Sequence, residues 1–378
     1  MMKLKGNWID IFNGFSVALD VKKMFAGFVG LLCTIVILGL IPVFTAIRIC
    51  SDIKNASSFS ELYYSSINAI LAGTPWKVCL FATVLYLLLL LVWSYFGGVI
   101  SRIAAVNITK DEGLELKKAL AFTNKKYFSF FSPFVFAILG FLFFFFCNFV
   151  GGLFGLIPYV GEIGVALFLP FAILSGFIMT FILIGFIFGG SLFYPTIAVE
   201  SSDAFDAVSR SFQYIFAEPW RYIWYCLVAK VYGILTTAFV WFFGFLMIVL
   251  GLHAAAMGMG TKFQEICSVT GLCSFCSSCC NAISSPVPVT YKISAFIILV
   301  WLVLVVGLII SYAISYCFSA STIIYLLLRK KVDDIEMNEI YTEELQESDL
   351  TATPQTSSTP TTETPKQDSA EDKPSTTL

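Results

Sequence analysis

Long apolar runs alternate with short polar, half-helical stretches along the chain as far as about residue 328. Six runs are long enough to cross a hydrocarbon layer of about 30 Å: roughly 26–48, 77–99, 132–157, 163–190, 223–251 and 295–327. In lipid every backbone N–H and C=O must find a partner within its own segment, so continuous runs of this kind predict helices. A β-barrel would need short alternating segments instead. The expected fold is an all-α integral membrane protein with six transmembrane helices arranged as three hairpins. Pro42, Pro133 and Pro170 are expected at kinks or ends of spans.

The polar stretches carry a second pattern. Within 1–25, Trp8, Phe12, Phe15 and Leu19 recur at helical spacing, with Asp10, Asn13 and Lys23 mainly off that stripe. In 101–131, Thr109 to Glu112 reads as a capping box opening a helix whose Leu116, Leu120, Thr123, Tyr127 and Phe131 share a face. In 200–221, Ser201, Ser202 and Asp203 suit a helix start. Phe205, Val208, Phe212 and Ile215 then share a face, with Asp206, Arg210 and Gln213 elsewhere. All three stretches predict amphipathic interfacial helices lying in the headgroup layer.

These stretches line up as a threefold repeat with boundaries near 7–100, 101–194 and 195–328. Ala18-Leu19, Ala119-Leu120 and Ala207-Val208 hold the same place, and each stretch leads into a pair of spans. Gly97-Gly98 and Gly189-Gly190 close the second span of the first two units, and Ser319-Ala320-Ser321 stands there in the third. Small residues at these places predict close helix approach. After Leu328 the segment 329–345 could extend the sixth span as a charged helix. From 346 to 378 the Ser, Thr, Pro and acidic composition predicts a disordered tail.

Composition sharpens the solvent argument. Of 378 residues, 58% are hydrophobic and 13% charged, with 39 phenylalanines, and mean hydropathy is +0.85. A soluble domain carries about 25% charged residues, so lipid must face much of this chain. A net charge of -2 suggests no nucleic-acid partner. The first apolar run, about 23 residues, exceeds the 7–15 residues of a signal-peptide core and is read as an uncleaved span. Lys3, Lys5, Lys22 and Lys23 precede the first span. Arg102, Lys110, Lys117, Lys118, Lys125 and Lys126 separate the second from the third; Arg210 and Arg221 the fourth from the fifth; and Arg329, Lys330 and Lys331 close the sixth. By the positive-inside rule both termini are expected in the cytoplasm, with the amphipathic helices on that side of the membrane.

Candidate chemistry is sparse. His253, with Met257 and Met259 after it, supplies too few ligands for a metal centre. Lys230 is the clear ionisable residue within a span. It lies about 12 Å past Tyr222 at roughly 1.5 Å per residue, close enough for its amine to snorkel to the headgroups. The outer loop 253–293 holds Cys267, Cys273, Cys276, Cys279 and Cys280, with Cys50 at the outer end of the first span. Cysteines outside the cytoplasm read first as disulfides, whose pairing the sequence does not choose. A thiolate metal site on the Cys273-x-x-Cys276-x-x-Cys279 spacing is the alternative. Cys33, Cys79, Cys147, Cys226 and Cys317 are expected to stay free. Paired carboxylates within the spans, a Gly-x-Ser-x-Gly turn and a phosphate-binding loop are all missing, so neither an enzyme nor a cofactor is expected.

Residues 189–225 contain Pro195-Thr-Ile-Ala-Val-Glu200, Asp206-Ala-Val-Ser-Arg210-Ser-Phe212 and Pro219-Trp220-Arg221. This stretch resembles a loosely defined group of bacterial multi-pass proteins, including the membrane domain attached to some glycerophosphoryl diester phosphodiesterases. The resemblance implies a bacterial plasma (inner) membrane and a cytoplasmic amphipathic segment between spans. It makes Pro195, Arg210, Pro219, Trp220 and Arg221 the residues of an interfacial corner. The phosphodiesterase catalytic domain has no counterpart in this chain, so its activity is not carried over. The leading expectation is a non-enzymatic protein that scaffolds or shapes the bilayer, with membrane lipids, and a protein held by its tail, as partners. The alternative is a transporter or channel subunit for an apolar or lipid-like substrate. Oligomeric state is not legible.

Overall fold

The computed structural model describes residues 6–48, 74–110, 113–269 and 288–341, with the isolated positions Tyr64 and Asn68. The described residues are almost wholly helical and contain no strand. A 3-10 turn, Trp8–Asn13, leads into the short helix α1, Gly14–Ala18. Then follow α2 (Val21–Arg48), α3 (Pro75–Lys110), α4 (Leu116–Lys125), α5 (Tyr127–Phe154) and α6 (Val160–Glu200). The chain continues with α7 (Ala204–Ala217), α8 (Pro219–Met259), α9 (Thr261–Val269) and α10 (Val289–Val332). Among the described residues, α2, α3, α5, α6, α8 and α10 are long and apolar enough to cross a membrane. The chain is therefore a multi-pass integral membrane protein.

Helix length explains where the core sits. About 20 residues cross the hydrocarbon layer, whereas α3 has 36 residues, α6 and α8 have 41 each and α10 has 44. The surplus of α3, α6 and α10 gathers at one end, where each of the three packs against the other two. Buried residues concentrate there: Val99, Ile100 and Ile103 on α3, Leu192, Ile197 and Val199 on α6, and Ile323, Tyr325 and Leu328 on α10. Elsewhere the shafts turn large apolar side chains outward. Phe143, Phe171, Ile234 and Trp301 are each more than 60% exposed, a surface suited to acyl chains rather than water.

Close approach at the packed end depends on a missing side chain. A Cβ on Gly97 would lie 2.7 Å from the Phe318 ring and 3.5 Å from that of Tyr194. The Tyr194 and Phe318 rings meet edge-on at 5.4 Å, and Phe130 stacks on Tyr194 at 6.2 Å. Around this centre α1, the start of α2 and the approach to α4 are fastened by polar contacts. Ser315 Oγ donates to the Ala18 carbonyl at 2.9 Å, Ser311 Oγ donates to that of Met24, and Lys22 Nζ donates to that of Leu114 at 2.9 Å.

Several local expectations change. Residues 7–25 are broken after Ala18 rather than forming one helix, and Asp10 is buried, accepting the Gly6 N–H at 2.7 Å. Trp8, Phe12 and Leu19 remain about 40% exposed, while Ile11, Val17 and Ala18 face the protein. Thr109 does not open a helix. Its hydroxyl donates to the Ala105 carbonyl in the last turn of α3, and Glu115 precedes α4 instead. Arg102 and Lys23, read as residues flanking spans, lie buried inside α3 and α2. Pro133 and Pro170, expected at kinks or ends of spans, lie inside α5 and α6. The sixth span does not extend through 345. α10 ends at Val332, and the following hook buries Met337 and Ile340. Part of the segment 253–293, read as an outer loop, is helical, since α9 packs against α8 and α10 with Phe263 and Ile266 buried. The tail 346–378 lies outside the described residues.

Candidate functional site

The densest polar cluster lies where α6, α7 and α10 meet. Glu200 is the last residue of α6, and its side chain is only 10% exposed. Tyr325 OH donates to Glu200 Oε1 at 2.6 Å, and Arg329 Nε approaches the same oxygen at 3.2 Å. Arg210 of α7 reaches Glu200 Oε2 at 2.5 Å and also holds Asp206 through Nε at 3.0 Å. Tyr214 OH donates to Asp333, and its ring lies 5.6 Å from that of Tyr325. Arg329 also donates to the Glu339 carbonyl at 2.7 Å, holding the hook that follows α10.

Local sequence explains this convergence. Ser201 turns the chain left-handed at φ 55°, ending α6 immediately after Glu200. Asp203 then precedes α7 in extended backbone. The small residues Ala204, Ala207 and Ser211, with Tyr214, are buried along one line of α7. That line draws α7 onto α6, where Thr196 and Ser211 hydroxyls meet at 3.3 Å. Arg210 is thereby placed over the end of α6. Asp206 is bound to Arg210, with 43% of its side chain exposed.

The electrostatics of the cluster favour cross-linking. Burial pushes the Tyr214 phenol well above its ordinary range, and the Asp333 carboxylate adds to this. Burial works against charge on Arg210, but the Asp206 hydrogen bond and Glu200 outweigh it and raise its pKa. Both Glu200 oxygens face guanidinium groups from different helices. A second buried guanidinium, that of Arg102, ties α3 to α6. Arg102 NH1 donates to the Ala198 carbonyl in the last turn of α6 at 2.6 Å, and its guanidinium carbon lies over the Phe122 ring, 4.1 Å from the centroid. Cationic donors are favoured where helix carbonyls lose their partners.

The residues expected at the corner separate into two groups. Pro195 is buried within α6, and Arg210 binds the Glu200 that ends that helix. Pro219, Trp220 and Arg221 begin α8 on the outside. Trp220 is 83% exposed, and Arg221 pairs with Glu218 at 3.6 Å. Lys230 lies on the exposed side of α8. His253 is exposed, with Nδ1 3.1 Å from the Val249 carbonyl of its own helix. Cys33, Cys79, Cys147, Cys226 and Cys317 are free thiols. Cys50, Cys273, Cys276, Cys279 and Cys280, and the side chain of Cys267, lie outside the described residues. Among the described residues no group of three or more His, Cys, Asp or Glu could hold a metal ion.

Sequence reasoning missed Glu200 as a hub and its partners Tyr325, Arg329, Tyr214 and Asp333. The available signal was a lone acid ending a long apolar helix. No family model, no curated protein and no solved structure matches this chain.

Proposed function

We propose that this chain is a non-enzymatic membrane scaffold. Its packed end lies in the cytoplasm with both termini, and its shafts cross a bacterial plasma membrane. The contacts α2–α3, α5–α6 and α8–α10 support three hairpins, each introduced by an amphipathic helix, α1, α4 or α7. The observation that carries the reading is the clamp on Glu200. Both carboxylate oxygens and both neighbouring guanidinium groups serve to fasten three helices together. Such a body holds interfacial helices rigidly at one level of the bilayer, which suits shaping lipid or presenting a tail to a partner protein.

The second reading, a carrier for an apolar or lipid-like substrate, draws support from α6. Its shaft exposes Leu167, Phe171, Ile173 and Phe177 by more than 60% each. Purification in native-lipid particles with mass spectrometry separates the two. A stoichiometric protein partner supports the scaffold. A single lipid species held at fixed stoichiometry, with no protein partner, supports the carrier.

A further inference from the structure

We propose that the outward face of α4 is a binding surface for anionic phospholipid headgroups. The proposal rests on the membrane reading above and deepens it by naming the lipid class and the residues. α4 is Leu-Lys-Lys-Ala-Leu-Ala-Phe-Thr-Asn-Lys, with no acid inside it. Its inner face, Ala119, Phe122 and Thr123, is buried. Lys117, Lys118, Ala121, Asn124 and Lys125 are exposed, so charge of one sign lines the outer face.

Position makes lipid the fitting occupant. Both ends of α4 are tied to the level at which spans begin. Lys22, the second residue of α2, donates to the Leu114 carbonyl just before α4. At the other end Lys126 alone separates α4 from α5. Phe128, the second residue of α5, is 79% exposed at the edge of an apolar shaft. A helix fixed at both ends to that level lies along the leaflet surface. Its lysines then fall within the screening length of about 8 Å over which an anionic leaflet attracts them.

The full chain is reconstituted into bilayer discs of phosphatidylcholine, with and without phosphatidylglycerol, and retained lipid is counted by native mass spectrometry. Preferential retention of phosphatidylglycerol, weakened by salt, is expected. Combining Lys117→Gln, Lys118→Gln and Lys125→Gln should lower that affinity about a hundredfold, from roughly fivefold per lysine. The corresponding Lys→Arg variant should retain it, and Lys262→Gln with Lys292→Gln at the far end should change nothing. Equal retention by the triple Gln variant, or equal loss in the far-end variant, overturns the proposal. Cross-linking of Lys117 to the acidic segment 343–349 in place of lipid also overturns it. A chain that enters discs yet shows no preference for phosphatidylglycerol overturns this proposal alone. A chain that fails to enter discs overturns the membrane reading with it.

Discussion

Glu200, closing α6, and Arg329, in the last turn of α10, meet at 3.2 Å with each side chain only 10% exposed. Removing one partner from such a buried pair leaves the other charge uncompensated. Glu200→Gln should therefore destabilise the packed end by about 3–5 kcal/mol. Arg210→Gln should cost about 1 kcal/mol, because Arg210 is 37% exposed and solvent screens its contribution. Denaturation of purified protein in a mild detergent checks both, and the order of the two effects matters more than their sizes.

The α8–α10 contact passes over Gly233, where any Cβ would meet the Tyr316 ring. Tyr316 OH also donates to the Ala229 carbonyl at 2.9 Å. Gly233→Val should force the helices apart at a cost of about 1–3 kcal/mol. Gly151→Ala, with nothing within 4 Å, should be neutral or slightly stabilising in the same assay.

Arg102→Lys tests whether a planar fork is needed. Lysine keeps the charge but loses the stacking on Phe122 and the geometry that reaches Ala198. A loss of about 2 kcal/mol is expected. Stability equal to wild type would show that charge alone suffices there.

Lys230 should tolerate Arg and, nearly as well, Met, since an exposed lysine near a membrane surface needs only to be compatible with lipid. Loss of a cellular phenotype in a well-expressed Lys230→Met protein would favour the carrier reading instead.

The shafts were legible in the sequence because apolar runs leave a chain few options in lipid. Gly97 was legible as a close-approach site, and Phe318 and Tyr194 pack against it. The Glu200 cluster was not legible, because Tyr325 and Arg329 join it only through packing of distant helices. Arg102 was read from its charge as a loop residue. Its burial follows from α3 running on past the apolar run, where Phe122 and the Ala198 carbonyl receive it. The hook after α10 was hidden for a related reason. Its charges suggested a helix, but burial of Met337 and Ile340 decided the path.

Topology is the most direct test of a scaffold whose packed end lies in the cytoplasm. Reporter fusions at Asn124, Gln213 and Thr351 should give cytoplasmic signals, and those at Lys54 and Thr270 external ones. Asn124 matters most, because it lies on α4, which packs against α3 at the packed end. A cytoplasmic signal at Asn124 is the expected result, and an external signal there would contradict the proposed orientation and the membrane-surface role of α4 together.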